Sequence, residues 1–172
     1  MVEEEWAIIR EFPDYQISTL GRVLNTKRNT FMSTTVNNYG HLRISLRRGP
    51  FRATRSVSLL VALAFVEAPE ELCDSVMVLN GDLTDVRADN LTWRPWWFVI
   101  TYSRQLKKQQ PMHYHNLHVQ NTVTGEIYSS IVEAGMSEGL LFRDIWESTY
   151  KRKSIYPTDV SFKVIERVLF RT

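Results

Sequence analysis

The spacing of apolar and polar positions at the start of the chain predicts short strands separated by turns. The runs Trp6-Ala7-Ile8-Ile9 and Gln16-Ile17-Ser18 are apolar or mixed and are each bounded by turn residues. The run 41–46 alternates basic or polar residues with apolar ones, which is the period of a strand with one buried face. Residues 1–50 therefore predict a small β-rich module, with the aromatic residues Trp6, Phe12 and Tyr15 in its core.

The middle of the chain predicts the order strand, helix, strand, loop, helix. The apolar run from Leu59 to Phe65 suits a buried helix, and the Asn80-Gly81 pair is typical of a hairpin turn. The predicted elements are a strand at 51–57, a helix at 59–65 capped by Ser58, a strand at 76–79, and a helix at 96–108 entered from Pro95. Trp93, Trp96 and Trp97 are predicted to be core residues rather than base-stacking groups.

A polar linker at 107–111 leads to a third segment, 112–172. Its pattern predicts a hairpin closed at Thr124-Gly125, then two helices, a basic loop and a final strand at 160–166. The first helix is predicted to begin near Ile131 with a Ser129-Ser130 cap and to be broken by Gly135-Met136-Ser137. The second is predicted at 138–150.

Composition narrows the class of protein. The chain has 172 residues, of which 44% are hydrophobic and 23% charged, as in a soluble globular protein. Its longest apolar run, 59–66, is far too short to cross a bilayer, and the acidic start of the chain predicts no signal peptide. The single cysteine, Cys73, excludes an intrachain disulfide framework and favours the reducing cytoplasm.

Charge is distributed unevenly although the net charge is only +2. No acidic residue occurs from Tyr15 to Val66, a stretch that contains many arginines, whereas the segment 67–89 is acidic. A one-sided basic stretch is the expected electrostatic footprint for a polyanion, and we expect double-stranded DNA as the partner. Two alternatives remain open: a solvated basic face, and pairing with the acidic segment of the same chain.

The first module resembles a known DNA-associated motif. The string W-x-x-I…F-P-x-Y-x-I-S-x-x-G-R-V, from Trp6 to Val23, looks like the NUMOD4 module that often precedes HNH nuclease domains. The resemblance implies a small DNA-contacting β-module. Arginine forks match phosphate oxygens, and the basic residues of this half of the chain are the predicted contacts. They are Arg22, Lys27, Arg28, Arg43, Arg47, Arg48, Arg52 and Arg55.

The centre of the chain resembles the HNH homing endonucleases of phages and introns. Their pattern is roughly V-H-R-L-V-A-x-x-F, then V-[ND]-H-x-D-G-[ND], then N-N-x-x-x-N-L-x-W, and it aligns with 57–65, 76–82 and the stretch that ends Asn90-Leu91-Thr92-Trp93. The family's [ND]-H pair, however, falls on Met77-Val78. Valine cannot act as a general base, and methionine is a poor ligand for a hard cation. Only Asn90 of the implied site clearly remains, and a structural role explains it equally well.

The third segment resembles the NUMOD1 or intron-encoded nuclease repeat, through its T-G-E turn and its S-x-x-E-A-G helix. Such modules place a helix in a DNA groove, which implies Arg143, Lys151, Arg152 and Lys153 as contacts. A solvated helix end explains these charges equally well. His113, His115 and His118 have zinc-ligand types at strand-like spacing, but no cysteine or acid accompanies them locally, so we expect no metal site there.

Together these patterns predict an α+β chain with a β-rich module at 1–50, a degenerate ββα-metal centre at 51–106, a linker at 107–111, and a hairpin and helix-turn-helix-like module at 112–172. The function they favour is that of a non-catalytic, phage-type DNA-binding protein without cofactor or metal, in the host cytoplasm. One alternative is an active nuclease whose metal is held by Asp82, Asp85, Asp89 and Asn90. The other is a protein inhibitor of a host complex that binds through 67–89.

Overall fold

The computed structural model describes residues 4–67, 73–156 and 158–165. The chain divides into two compact units, Met1–Val99 and Ile100–Thr172. This boundary falls inside a helix rather than at the predicted linker 107–111. Buried residues from both predicted modules, 1–50 and 51–106, form one hydrophobic core that extends from Ile9 to Trp93.

The first unit begins with a four-stranded antiparallel sheet in the order β1-β2-β3-β4. Its strands are β1 Trp6–Ile8, β2 Tyr15–Ser18, β3 Val23–Asn25 and β4 Thr30–Phe31. Phe12 and Tyr15 are buried as predicted, whereas Trp6 is only half-buried beside Phe31. The β2–β3 turn requires Gly21, which has φ +80 and whose missing Cβ would lie 2.3 Å from Val86 Cγ2.

A second antiparallel sheet, in the order β5-β6-β7, continues the same unit. It consists of β5 Thr35–Val36, β6 Leu42–Arg48 and β7 Phe51–Ser56, close to the predicted bounds. Ile44 and Leu46 point into the core, as the alternating pattern predicts. Helix α1, Val57–Phe65, packs on both sheets; its N-cap is Ser56, so the prediction of Ser58 as the cap is wrong. Neither serine makes a capping hydrogen bond. The helix is stabilised instead by burial of Val57, Leu60 and Val61.

The centre contains β8 Ser75–Val78, β9 Leu91–Arg94 and α2 Trp96–Lys107, the ββα order that the family resemblance implies. Strand β9 lies in the stretch that the residue pattern predicted to be a loop. Strands β8 and β9 pair directly from Val78 opposite Leu91, so Asn80-Gly81 begins the loop 79–90 rather than closing a tight hairpin. Trp93 is buried as predicted. Trp96 and Trp97 are 64% and 52% exposed, and the prediction that they are core residues is wrong. They occupy the first turn of α2, where Phe98 rather than either tryptophan is buried.

The second unit contains α3 Met112–Asn116, β10 Val119–Asn121, β11 Ile127–Tyr128, α4 Ile131–Glu138, α5 Phe142–Lys151 and β12 Phe162–Val164. Helices α4 and α5 correspond to the predicted helix pair, and β12 corresponds to the predicted closing strand. Ser130 Oγ accepts from Glu133 N at 3.0 Å, which confirms the predicted cap, and Glu133 Oε2 accepts from Ser129 N, one residue before the N-cap, at 2.7 Å. Glu166, the last residue of the predicted closing strand, lies outside the described residues.

Two helix bounds in this unit differ from prediction. Gly135 does not break α4, which continues to Glu138 and is capped by Gly139 in the left-handed conformation. The missing side chain of Gly135 instead allows Phe142 to pack against it, since an added Cβ would lie 2.4 Å from Phe142 Cδ1. The predicted second helix 138–150 was therefore placed too early: α5 follows the turn 139–141 and begins at Phe142. Among the described residues, no helix has the length and apolar character needed to cross a membrane.

Candidate nucleic-acid interface

The face of the β5-β6-β7 sheet opposite the core is polar and basic. The strand register places Arg43 opposite Ser56, Ser45 opposite Thr54, and Arg47 opposite Arg52, while Thr35 lies opposite Arg43. Because directly opposed residues in an antiparallel pair share a face, these side chains form one surface. We call it the basic face; its members are Thr35, Arg43, Ser45, Arg47, Arg52, Thr54 and Ser56.

Three arginines of the basic face have no carboxylate partner within the described parts of the chain: Arg43, Arg47 and Arg52. Arg52 Nε donates to Ser45 Oγ at 2.8 Å. Arg43 is half-buried, and its Nε is shielded from solvent without a hydrogen-bond acceptor. A buried donor without an acceptor is unusual.

The other predicted cations of the first unit are arranged differently. Arg22 binds Glu4 and lies over the rings of Phe31 and Trp6, at 5.1 and 5.7 Å from the ring centroids. Lys27 Nζ lies 2.8 Å from Asp14 Oδ2. Arg55 lies on the core side of its strand and binds Glu11 at 2.7 Å. Their charges are compensated within the unit.

Two further predicted contacts, Arg28 and Arg48, are exposed but lie off the basic face. Arg28 follows β3 in the β3–β4 turn, and Arg48 lies beside Gly49 at the tip of the β6–β7 hairpin, opposite Phe51. The structure thus groups three of the eight predicted cations of this half on one surface and separates the other five from it. The hydroxyl groups of Thr35, Ser45, Thr54 and Ser56 were missed by sequence reasoning, although the alternation along β6 and β7 places them on the arginine side.

The predicted contacts of the second unit lie at both ends of α5: Arg143 in its first turn, and Lys151, Arg152 and Lys153 at and after its last residue. Arg143 and Lys151 both pair with Glu147, at 2.9 and 2.7 Å, so one carboxylate is shared by two cations. These bonds lower the pKa of Glu147, with Lys151 as the larger cause. Arg152 is the left-handed C-cap of the helix and Lys153 follows it, both exposed. The net charge of this cluster remains positive.

The region that matches the nuclease pattern is apolar where the pattern has its catalytic pair. Met77 and Val78 lie on β8 and are 1% and 8% exposed. Val78 and Trp93 belong to the core of the first unit, and Trp93 Nε1 donates to Val66 O at 3.0 Å. Both positions that align with the expected pair are therefore occupied by buried apolar side chains.

Asn90 holds the loop 79–90 together. It is 6% exposed; its Oδ1 accepts from Asn80 N at 3.1 Å, and its Nδ2 donates to Asp85 O at 2.8 Å. The backbone adds a further bond from Leu79 N to Asn90 O at 3.0 Å. Both ends of the Asn90 amide are thus occupied by backbone groups, which is the geometry of a brace.

The loop acids proposed as displaced ligands also have partners. Asp85 bonds to Arg87 at 2.9 Å and to Asn80 at 2.8 Å, and the Arg87 bond holds its pKa below the ordinary value. Asp82 accepts from the hydroxyl and amide of Thr84, which lowers its pKa. Asp89 lies 3.6 Å from Arg87. The described residues contain no group of three or more histidine, cysteine or acidic side chains arranged to hold a metal ion.

The same loop contributes Asp82, Asp85 and Asp89 to the acidic segment 67–89, of which 68–72 lie outside the described residues. Arg87 compensates part of the charge of this segment through Asp85 and Asp89.

His113 and His115 lie on the short helix α3, not on a strand as their spacing had implied. His113 packs against Tyr114 and Trp146, with ring centroids 4.6 and 4.5 Å apart.

Two comparisons with known proteins show what this chain is similar to. Residues 4–47 match the NUMOD4 motif, which is the module predicted for the start of the chain. The match covers β1 to β5 and all of β6 except Arg48, including Arg43 and Arg47 of the basic face. No curated protein sequence matches the chain.

Among solved structures, the chain is similar to that of the HNH homing endonuclease I-HmuI, described in a study of its DNA binding and cleavage. The TM-score is 0.55 at 21% sequence identity, and the match covers 94% of this chain and 98% of the other. The predicted resemblance to NUMOD4-containing HNH homing endonucleases is confirmed, and so is the mixed α+β fold. The likeness of the last segment to NUMOD1 stays a prediction.

Proposed function

We propose that this protein is a non-catalytic, duplex-DNA-binding protein built on the fold of an HNH homing endonuclease. The observation that carries the proposal is the contrast between two parts of the first unit. The positions of the catalytic pair are Met77 and Val78, both buried, while the basic face presents Arg43, Arg47 and Arg52 without carboxylate partners in the described chain.

The chemistry of the ββα centre supports the loss of cleavage. Hydrolysis of a phosphodiester by such a site requires a base to activate water and oxygen ligands to hold a divalent cation. Met77 and Val78 supply neither. Asn90 directs its amide to Asn80 and Asp85, and the carboxylates of the loop bond to Arg87 and Thr84. A metal ion would have to replace these bonds.

The basic face supports the retention of binding. Guanidinium groups donate to phosphate oxygens in pairs, and serine and threonine hydroxyl groups add weaker donors. The face displays both kinds on adjacent strands. I-HmuI, whose fold is similar, is described as binding and cleaving DNA. In this chain we infer the first activity without the second. Contacts to phosphates carry no base sequence, so recognition of a particular site depends on other groups.

The wider role that we propose is that of a phage-encoded protein that acts on DNA in the cytoplasm of its host. Inhibition of a host complex through the acidic segment is less favoured, because Arg87 already occupies two of its carboxylates.

Two measurements on the purified full chain test the proposal. Binding to a short fluorescent duplex is followed by anisotropy over a salt series, and supercoiled plasmid is incubated with Mg²⁺ or Mn²⁺ to detect nicking. We expect salt-sensitive binding and no nicked product. Nicking that is lost in Asn90→Ala would establish an active nuclease instead. Absence of any anisotropy change at low salt would contradict the DNA-binding function.

A further inference from the structure

Strand β1 is an edge strand with one bonded neighbour in the described chain, β2. Ile9 N donates to Tyr15 O and Thr19 N donates to Glu5 O, both at 3.0 Å, so the odd-numbered residues direct their backbone groups toward β2. Since the direction alternates along an antiparallel strand, the N–H and C=O groups of Trp6 and Ile8 point away from the sheet. They form a free edge that can bond to another strand.

An apolar groove of about 430 Å³ runs beside this edge. One wall is β1 and the segment after it, with Ala7 and Ile9; the other is α1, with Leu59 and Leu63. Leu63 is 68% exposed, and helix α1 carries no charged residue from Val57 to Phe65. An exposed edge strand beside an apolar helix face is suited to binding peptides by strand addition: the main chain gives affinity and alternate side chains enter the groove.

The rim of the groove carries one uncompensated positive charge. Arg10 and Glu11 both line it, but Glu11 is bonded to Arg55 at 2.7 and 3.0 Å. Arg10 is exposed and has no carboxylate partner in the described residues. The end of the groove next to Arg10 therefore favours a carboxylate.

We propose that the groove between β1 and α1 binds an extended segment of a partner protein, in which an acidic residue precedes apolar residues at alternate positions. The segment adds to β1 in the antiparallel sense, the more stable pairing. Its acidic side chain lies opposite Arg10. The residues opposite Ile9 and Ala7 place apolar side chains in the groove, and the residues opposite Ile8 and Trp6 bond to the free backbone groups. This site is independent of the basic face and of DNA binding.

A second copy of the chain fits the groove less well. Antiparallel pairing of two β1 strands that uses the free groups of Trp6 and Ile8 on both sides places Ala7 opposite Ala7. The groove of each copy would then receive a methyl group and the charged Glu5, while Ile9 stays in its own core at 6% exposure. Glu4, which would meet Arg10, is already bonded to Arg22. The apolar volume would remain unfilled.

The probe for this proposal is a capped synthetic peptide, Gly-Glu-Val-Thr-Val-Thr-Val-Gly, titrated into the full chain and followed by amide NMR shifts. The first threonine is expected opposite Ile8 and the second valine opposite Ala7. N-methylation of that threonine removes a donor to β1 and should weaken binding about tenfold. N-methylation of that valine, whose amide points away from β1, should leave affinity within about twofold. Shift changes are expected along β1 and α1.

Protein variants complete the test. Leu63→Asp should abolish binding, whereas Val123→Asp, at a position of equal exposure in the second unit, should not change it. Arg10→Glu should weaken the glutamate peptide and favour a lysine-substituted one. No binding, or equal effects of the two N-methyl groups, would overturn the proposal. Dimerisation that Leu63→Asp disrupts but the peptide leaves intact would also overturn the proposal, because the groove would then bind a second copy.

Discussion

Arg47 on β6 and Arg52 on β7 lie directly opposite each other on the same face of a sheet. Like charges at directly opposed positions destabilise a strand pair, and no described carboxylate lies between them as a partner. The arrangement costs stability in the free protein, and a bound polyanion would remove that cost. This opposed pair is therefore the structural feature that best supports the proposed phosphate-binding surface.

Neutralising the basic face should weaken DNA binding and reduce its salt dependence. In the variant Arg43→Ala, Arg47→Ala, Arg52→Ala, we expect the slope of log affinity against log salt to fall by about 0.9 for each lost phosphate contact. The charge-matched control is Arg22→Ala, Lys27→Ala, Arg55→Ala, whose cations already have acidic partners. Anisotropy over a salt series measures both. Equal losses in the two variants would show that binding follows net charge and not this face.

Reversing one charge of the opposed pair should separate stability from binding. Arg52→Glu replaces repulsion by attraction across the ladder and should raise the free energy of unfolding by about 0.5 kcal/mol. The same change should reduce DNA affinity more than Arg52→Ala does. Urea denaturation and anisotropy on the same samples provide the two readouts. A variant that is less stable than the original would contradict the repulsion between Arg47 and Arg52.

Replacing Asn90 should destabilise the fold without changing DNA affinity at a temperature where the variant is folded. Asn90→Ala leaves Asn80 N and Asp85 O without their bonds and should cost about 1–3 kcal/mol. Asn38→Ala, at an exposed position, is the control and should be neutral. Asn90→Asp should also destabilise, because a carboxylate accepts from Asn80 N but cannot donate to Asp85 O. An Asn90→Ala protein of unchanged stability would remove the structural explanation for this residue.

Filling the space beside Gly135 should destabilise the second unit. In an open helical position, glycine to alanine is stabilising by up to about 1 kcal/mol. At Gly135 the new methyl group would overlap Phe142, and overpacking of this kind costs about 1–3 kcal/mol. Ser137→Ala, on the exposed side of the same helix, is the control. Adding Phe142→Leu should recover part of the loss measured by thermal denaturation; full additivity of the two changes would argue against the contact.

The loop 79–90 should lose stability in acid. Bonding to Arg87 lowers the pKa of Asp85 below its ordinary value of 3.8, so ionised Asp85 stabilises the folded state above that pH. The contribution disappears as the pH falls through the lowered value of the folded state. We expect Asp85→Asn to be less stable than the original chain at neutral pH and to approach it in acid. Parallel denaturation curves at every pH would exclude this linkage.

The sequence alone predicted most of the strands and helices and located the stretch that aligns with the family's catalytic pair. Local patterns were sufficient for this: the NUMOD4 string, the alternation from His41 to Leu46, the Ser129-Ser130 cap, and the alignment of the family's catalytic pair with Met77-Val78. Each depends on residues near one another in the chain, where spacing fixes geometry. The bounds of β6, β7, β8 and α2 followed within a few residues for the same reason.

The tertiary structure decided which charges act together. From composition, Arg22, Arg43, Arg52 and Arg55 were equivalent; register places Arg43 and Arg52 on a free face, and packing brings Glu4 and Glu11 to the other two. The tertiary structure also decided that Trp96 and Trp97 are exposed and that Gly135 packs against Phe142, because burial depends on which helices and strands contact each other. Contacts between residues far apart in the chain, such as the Arg55–Glu11 ion pair, have no periodicity along the sequence, and only the folded chain defines them.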